Sequence, residues 1–373
     1  MEYILYVASS TVLLARMIRD VTGSSEFMVP VFCLISYVVA CSILIVGGRF
    51  FWWISTFGGI LSLLILVIFC LGSLPNINLS SNGPSANTTG SHDLSPQWFI
   101  GGMDGFMSVL PLAGWFFVGI ESLNLCASVV NKPKTTIPIG SISCVLTIFF
   151  MAIFVLCVTS ALPNNTDVPT SDSLAPLSIG FSIMTNISIN RAIIFSIPAT
   201  FATAYGFIFA FSRVLLAMAR SGLMPPLLKA TYGRYRTPHV AILAGSTVGY
   251  TMCLIVYFMP SVGDALYSLC ILSAYLAYVS QFIGYIIFKR KYDQRSRQFS
   301  SPLGIFGAIY GALVFTLAAI AVLLYQKDGY INLIVTLILV GCYTFYYFAY
   351  SQSRQTFSKE EKIFYPIHIV KCK

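Results

Sequence analysis

The sequence predicts an all-α integral membrane protein with ten transmembrane helices. Of its 373 residues, 57% are hydrophobic and only 9% are charged. A soluble domain of this size carries about 25% charged residues to keep its surface solvated. The apolar residues fall in runs of about 20, the length an α-helix needs to cross the hydrocarbon layer. Lysines and arginines lie almost entirely at the ends of those runs. Tyr and Phe together number 50, which excludes a disordered chain.

Hydropathy places the spans at 1–19, 27–47, 51–73, 104–125, 137–160, 193–221, 239–259, 265–288, 303–324 and 330–350. At about 1.5 Å of rise per residue each bridges a layer of roughly 30 Å. Backbone groups in lipid need internal partners, so helices are the expected form. The longest connections are 74–103 and 161–192, both read as polar loops. Residues 1–350 thus form one polytopic domain, and 351–373 a tail.

Charge orients the bundle. Arg49, Lys132, Lys134, Arg220, Lys229, Arg234, Arg236 and the basic residues at 289–297 and in the tail make 17 on one side. The opposite side holds Arg16, Arg19, Arg191 and Lys327. The positive-inside rule makes the first side, and with it the C-terminal tail, cytoplasmic. The two long connections then face outward. The four N-x-S/T sequons, Asn78, Asn87, Asn164 and Asn186, all fall in them and are candidate glycosylation sites. Arg16 and Arg19 run against the bias.

The net charge of +9 does not indicate a nucleic-acid partner. Such binders gather their basic residues on a solvated face, and here they flank apolar spans. The partner this distribution indicates is the lipid bilayer. The ten cysteines lie almost all within spans and form no CxxC pair, so they read as reduced, small apolar side chains. Met1 is followed at once by an apolar stretch, with no basic leader and no cleavage site, so a signal peptide is not expected. Either the bundle begins there or upstream helices lie outside this sequence.

Within the spans, the informative side chains are those unfavourable to bury. Glu121 stands in the apolar segment Pro111-Leu-Ala-Gly-Trp-Phe-Phe-Val-Gly-Ile-Glu121. A carboxylate at bilayer depth costs on the order of 3 kcal/mol and is usually paired, protonated or facing water. Two readings fit: a functional acid, or one that snorkels to the nearby basic end. Pro111 lacks a backbone donor, and Gly114 and Gly119 ease departure from helical geometry. Regular helical bonding is therefore expected to lapse over residues 113–118, which frees backbone groups for a charged solute. A tightly packed helix with small contact residues is the competing reading, and Trp115 also fits an interfacial anchor. Arg213, seven residues before Arg220 on one helix face, fits either cytoplasmic anchoring or a gate partner for Glu121. Asp264 reads as a helix cap, and Gly307 with Gly311 as a close helix contact.

Enzyme chemistry finds no support. The three histidines, His92, His239 and His368, lack metal-ligand spacing, and no P-loop, nucleophile elbow or dinucleotide fingerprint occurs. No cofactor is expected.

Two stretches carry a resemblance. Gly114-Trp-Phe-Phe-Val-Gly-Ile-Glu-Ser122, followed by Val130-Asn-Lys-Pro-Lys-Thr-Thr-Ile-Pro138, resembles the sixth helix and its exit in the amino acid–polyamine–organocation permeases. Phe207-Ile-Phe-Ala-Phe-Ser-Arg-Val-Leu-Leu-Ala-Met-Ala-Arg-Ser-Gly-Leu-Met-Pro225, then Arg236-Thr-Pro238, is similar to the eighth helix and the loop after it. The ethanolamine and small amino acid permeases are the branch most resembled. The likeness covers most of residues 1–260; residues 261–373 agree mainly in span count.

The resemblance implies an inverted-repeat fold of twelve helices, of which the ten spans match helices three to twelve. The permease domain would be incomplete at its N-terminal end, without the family's broken first helix and its share of the site. It also implies transport of an amino acid or small organic amine by alternating access, coupled to a proton or cation or by exchange, with the plasma membrane as location. Trp115 matches an aromatic that lies against the substrate. Phe116, Phe117, Val118 and Gly119 complete the substrate-binding stretch, and Glu121 matches an acid implicated in gating and proton coupling. The lysine of some proton-coupled relatives has no counterpart in span 51–73. The alternative is a truncated, non-transporting membrane scaffold or partner-binding fragment.

Overall fold

A computed structural model describes residues 2–76, 101–162, 177–291, 299, 301–326 and 329–356. Its helices are α1 (Glu2–Thr22), α2 (Val29–Val46), α3 (Gly48–Ser73), α4 (Gly102–Trp115), α5 (Pro133–Ala161), α6 (Leu177–Thr185), α7 (Ile189–Ala192), α8 (Ile197–Arg220), α9 (His239–Phe258), α10 (Ser261–Lys291), α11 (Gly304–Tyr325) and α12 (Gly329–Tyr346). A 3₁₀ segment, Ile120–Ser128, follows α4. Among the described residues, nine helical stretches are long and apolar enough to cross a membrane, or ten with the bent pair α6–α7 counted as one. The chain is an all-α membrane protein, and each expected span coincides with a helix.

The first expected span differs from the rest. α1 carries Arg16, Arg19 and Asp20 and is not among the nine strongly apolar stretches, yet it lies at the centre of the bundle. It packs against α8, α9, α2 and α10. Leu5, Val7, Ala8, Ser10, Thr11, Val12, Leu14 and Ala15 are all buried, so the helix is covered around most of its circumference. Small residues at Ala8, Ser10, Thr11 and Ala15 let neighbouring backbones approach. Arg19 forms ion pairs with Asp20 and Glu26, so its charge, which opposes the general bias, is locally neutralised.

The connection 161–192 corrects the sequence reading. Instead of a polar loop throughout, it contains α6 and α7, bent by 111° at the turn between them. Phe181 and Ala192 join Phe69, Cys70, Val158 and Leu162 in a second apolar cluster beside α3 and α5. The apolar run Leu177–Thr185 has only nine residues, too short to span and so invisible to a search for spans. Asn186 is exposed in the turn at φ 55°, a left-handed conformation that Asn tolerates. The other three sequons, Asn78, Asn87 and Asn164, lie outside the described residues.

The Gly307–Gly311 pair is half realised. Gly311 meets α10, where a Cβ would come within 2.6 Å of Phe282 Cζ, whereas Gly307 meets Leu303 of its own segment. Asp264 lies in the first turn of α10 and is not its cap, because the helix begins three residues earlier at Ser261. Five of the described cysteines are buried, and none of the described ones is in a disulfide.

Candidate functional site

The α-helical ladder of α4 stops at Trp115. From there the bonds shorten to i→i−3: Phe116 N–H to Ala113 at 3.3 Å, Phe117 to Gly114 at 3.2 Å and Val118 to Trp115 at 3.1 Å. Gly119 then adopts φ 93°, a conformation closed to most side chains. The 3₁₀ segment opens directly after it. The lapse expected over 113–118 is confined to its second half: residues 113–115 stay in α4, and the bonding departs from the helical pattern over 116–118, most sharply at Gly119 itself.

Pro111 and Gly114 prepare the break. The Tyr275 hydroxyl on α10 donates to the Pro111 carbonyl. A Cβ on Gly114 would collide with that hydroxyl, so the glycine admits the phenol. Gly119 plays the matching part against α8, where a Cβ would lie 3.1 Å from Phe207 Cζ.

Glu121 is the polar centre of the turn. One carboxylate oxygen accepts from Tyr3 of α1 at 3.1 Å. The other accepts from Tyr278 of α10 at 2.8 Å and from the Gly119 N–H at 3.1 Å. One acid therefore joins the 3₁₀ segment to two helices and closes its own turn. Hydrogen bonds to a charged acceptor are stronger than neutral ones, so three donors compensate much of its desolvation. Arg213 takes no part. Its guanidinium stacks over Phe209 at 5.1 Å, and no ion pair to Glu121 occurs among the described residues.

The five residues Trp115 to Gly119 divide. Trp115 is buried and packs edge-on against Tyr6 of α1 at 5.0 Å and Tyr267 of α10 at 5.9 Å. Val118 joins the same central cluster, and Gly119 faces Phe207. Phe116 and Phe117 contact each other instead, and Phe116 is 48% exposed. The tyrosines are not singled out by hydropathy or charge. Tyr3, Tyr6, Tyr267, Tyr275 and Tyr278 line the break from α1 and α10, and the spacing Tyr3–Tyr6 and Tyr275–Tyr278, one helical turn each, is the signal that marks them.

A family model described as Amino acid permease matches residues 3–361. The histidine permease HisP of Lactococcus lactis is 26% identical over 67% of this chain and 53% of its own length. The probable amino-acid permease meu22 of Schizosaccharomyces pombe is 26% identical over 81% of this chain and 54% of its own. The lysine-specific permease LysP of Lactococcus lactis is 23% identical over 77% and 59%. The chain spans about half the length of the curated relatives it matches. With a match across nearly the whole sequence, and a broken helix seated among α1, α8 and α10, the chain belongs to the amino acid permease family.

Proposed function

We propose that the protein moves amino acids or small organic amines across a membrane by alternating access, with the break after Trp115 as part of its solute path. The observation that carries this is the joining of Glu121 to both Tyr3 and Tyr278 across a helix interruption. Backbone released at such a break offers dipoles to the ammonium and carboxylate of a solute, while Trp115 supplies an aromatic wall suited to a cation or an apolar side chain.

Glu121 then acts as a proton-dependent latch. As a carboxylate it accepts from both tyrosines and holds the 3₁₀ segment against α1 and α10. A proton on one oxygen converts an acceptor into a donor and weakens one of those ties, which frees the segment to move. A cytoplasmic tail follows from the charge bias and a plasma-membrane location from the family resemblance; both belong to the same proposal, as does glycosylation of the outward sequons.

The test is uptake of labelled amino acids by cells expressing the chain from its own gene. The panel begins with histidine and lysine, the solutes named for two relatives, and extends to glycine and S-adenosylmethionine. Saturable uptake that Trp115→Ala reduces about tenfold or more supports the reading. Delivery to the membrane without uptake of any solute supports a non-transporting scaffold instead.

A further inference from the structure

A second polar feature shares no residue with the break. Where α2 turns into α3, a cavity of about 500 Å³ opens between that junction, α8, the exit of the 3₁₀ segment and the loop 230–238. Among the described residues its polar lining is Arg49, Asn131, Ser212, Arg213, Tyr235 and Thr237, with no aspartate or glutamate. We propose that this cavity is a binding site for a phosphate-bearing anion.

Arg213 carries the inference. Its Nε is buried and has no hydrogen-bond partner among the described residues. Neither Arg213 nor Arg49 forms an ion pair among the described residues. Arg213 is half-buried and Arg49 exposed; a guanidinium nitrogen shut from water without an acceptor is unfavourable, and the cation attracts any anion that fits beside it. The planar fork of a guanidinium matches the oxygens of a phosphate, and Arg49 supplies a second charge for the same group.

The walls are constructed, not incidental. Gly47 and Gly48 both adopt φ 61°. Side chains there would collide with Thr237 and with the Tyr235 ring, so two adjacent glycines let the loop close down on the helix junction. The Thr237 hydroxyl donates to the Ile45 carbonyl at 3.2 Å, which fixes the loop against α2. The rest of the lining is apolar, including Leu44, Phe51, Trp52 and Phe209. Trp52 and its neighbour Trp53 are both exposed on α3 beside Arg49, the placement that aromatic residues take at a membrane surface. Basic pockets between helices at that depth receive phospholipid head groups, and a free phosphate presents the same oxygens.

The experiment uses the purified full chain and follows its thermal unfolding by tryptophan fluorescence. In neutral detergent, inorganic phosphate is titrated against chloride at equal ionic strength. In phosphatidylcholine nanodiscs, the chain is compared with and without phosphatidic acid. A saturable rise in unfolding temperature is expected in at least one arm. A rise with phosphate identifies a free anion as sufficient; a rise with phosphatidic acid alone identifies the lipid. Arg213→Gln should weaken the apparent affinity about tenfold or more, Arg213→Lys should weaken it less, and Arg220→Gln, exposed and outside the cavity, should leave it unchanged. If Arg213→Gln does not fold, Arg49→Gln is held to the same expectation. No saturable rise in either arm, or a folded cavity variant that titrates like the parent, overturns the proposal.

Discussion

The Tyr278 hydroxyl donates to the Glu121 carboxylate at 2.8 Å, across 157 residues of sequence. Tyr3 meets the same carboxylate from a separation of 118 residues. The acid of the interrupted helix is thus shared between the central helix and α10, and the two phenols are coupled through it.

That coupling is measurable. Tyr278→Phe and Glu121→Gln should each lower the thermal stability of the purified chain by about 0.5–2 kcal/mol. The double variant should fall short of their sum by on the order of 0.5–1.5 kcal/mol. Strict additivity would show that the bond contributes nothing.

Glu121→Gln retains the shape of the side chain and removes its ability to exchange a proton. Uptake by this variant should persist, with a pH dependence that differs from the parent's. An unchanged profile relative to the parent assigns Glu121 a packing role only. Glu121→Ala should be worse, because it strands the two phenols at roughly 1–3 kcal/mol.

Gly119 has φ 93° and lies under Phe207. Gly119→Ala should therefore destabilise the chain by about 1–2 kcal/mol, mainly through backbone strain. Phe207→Leu widens the space but leaves the dihedral as it is, so it should not restore stability. Restoration would place the cause in the side-chain contact.

Gly311→Ala should also destabilise, by roughly 1–3 kcal/mol, because its Cβ enters the Phe282 ring. Here Phe282→Leu should recover most of the loss. The two glycines are thereby distinguished: one is needed for its backbone, the other for the room it leaves.

Topology is open to direct labelling. An epitope inserted at the exposed turn around Asn186 should be reached by antibody in intact cells, and one at Arg234 only after permeabilisation. The reverse pattern would invert the orientation that the lysine and arginine distribution implies.

Much of this was legible in the residues because transfer into lipid depends on local composition. Nine of the expected spans are apolar enough to identify one by one, and Pro111, Gly114 and Gly119 mark the break by their own backbone chemistry. Glu121 stood out because a carboxylate is rare in such a segment. Its partners did not, since Tyr3 and Tyr278 lie on helices remote in sequence and tyrosine is common throughout this chain. The short helices α6 and α7 fall below spanning length, so hydropathy does not mark them.

By itself, then, the sequence determined that the chain is a helical membrane protein, where its helices run and where one of them fails. Tertiary structure alone decided that the least apolar of those helices, α1, occupies the centre. It decided that Trp115 and Val118 face the core while Phe116 does not, and that Arg213 turns to Phe209 and a basic cavity instead of to Glu121. The physical reason is that burial in lipid is summed along a segment, whereas contact is settled by which remote faces fit. Small residues such as Ala8, Gly114 and Gly311 set that fit, and their effect appears only when a neighbouring helix is in place.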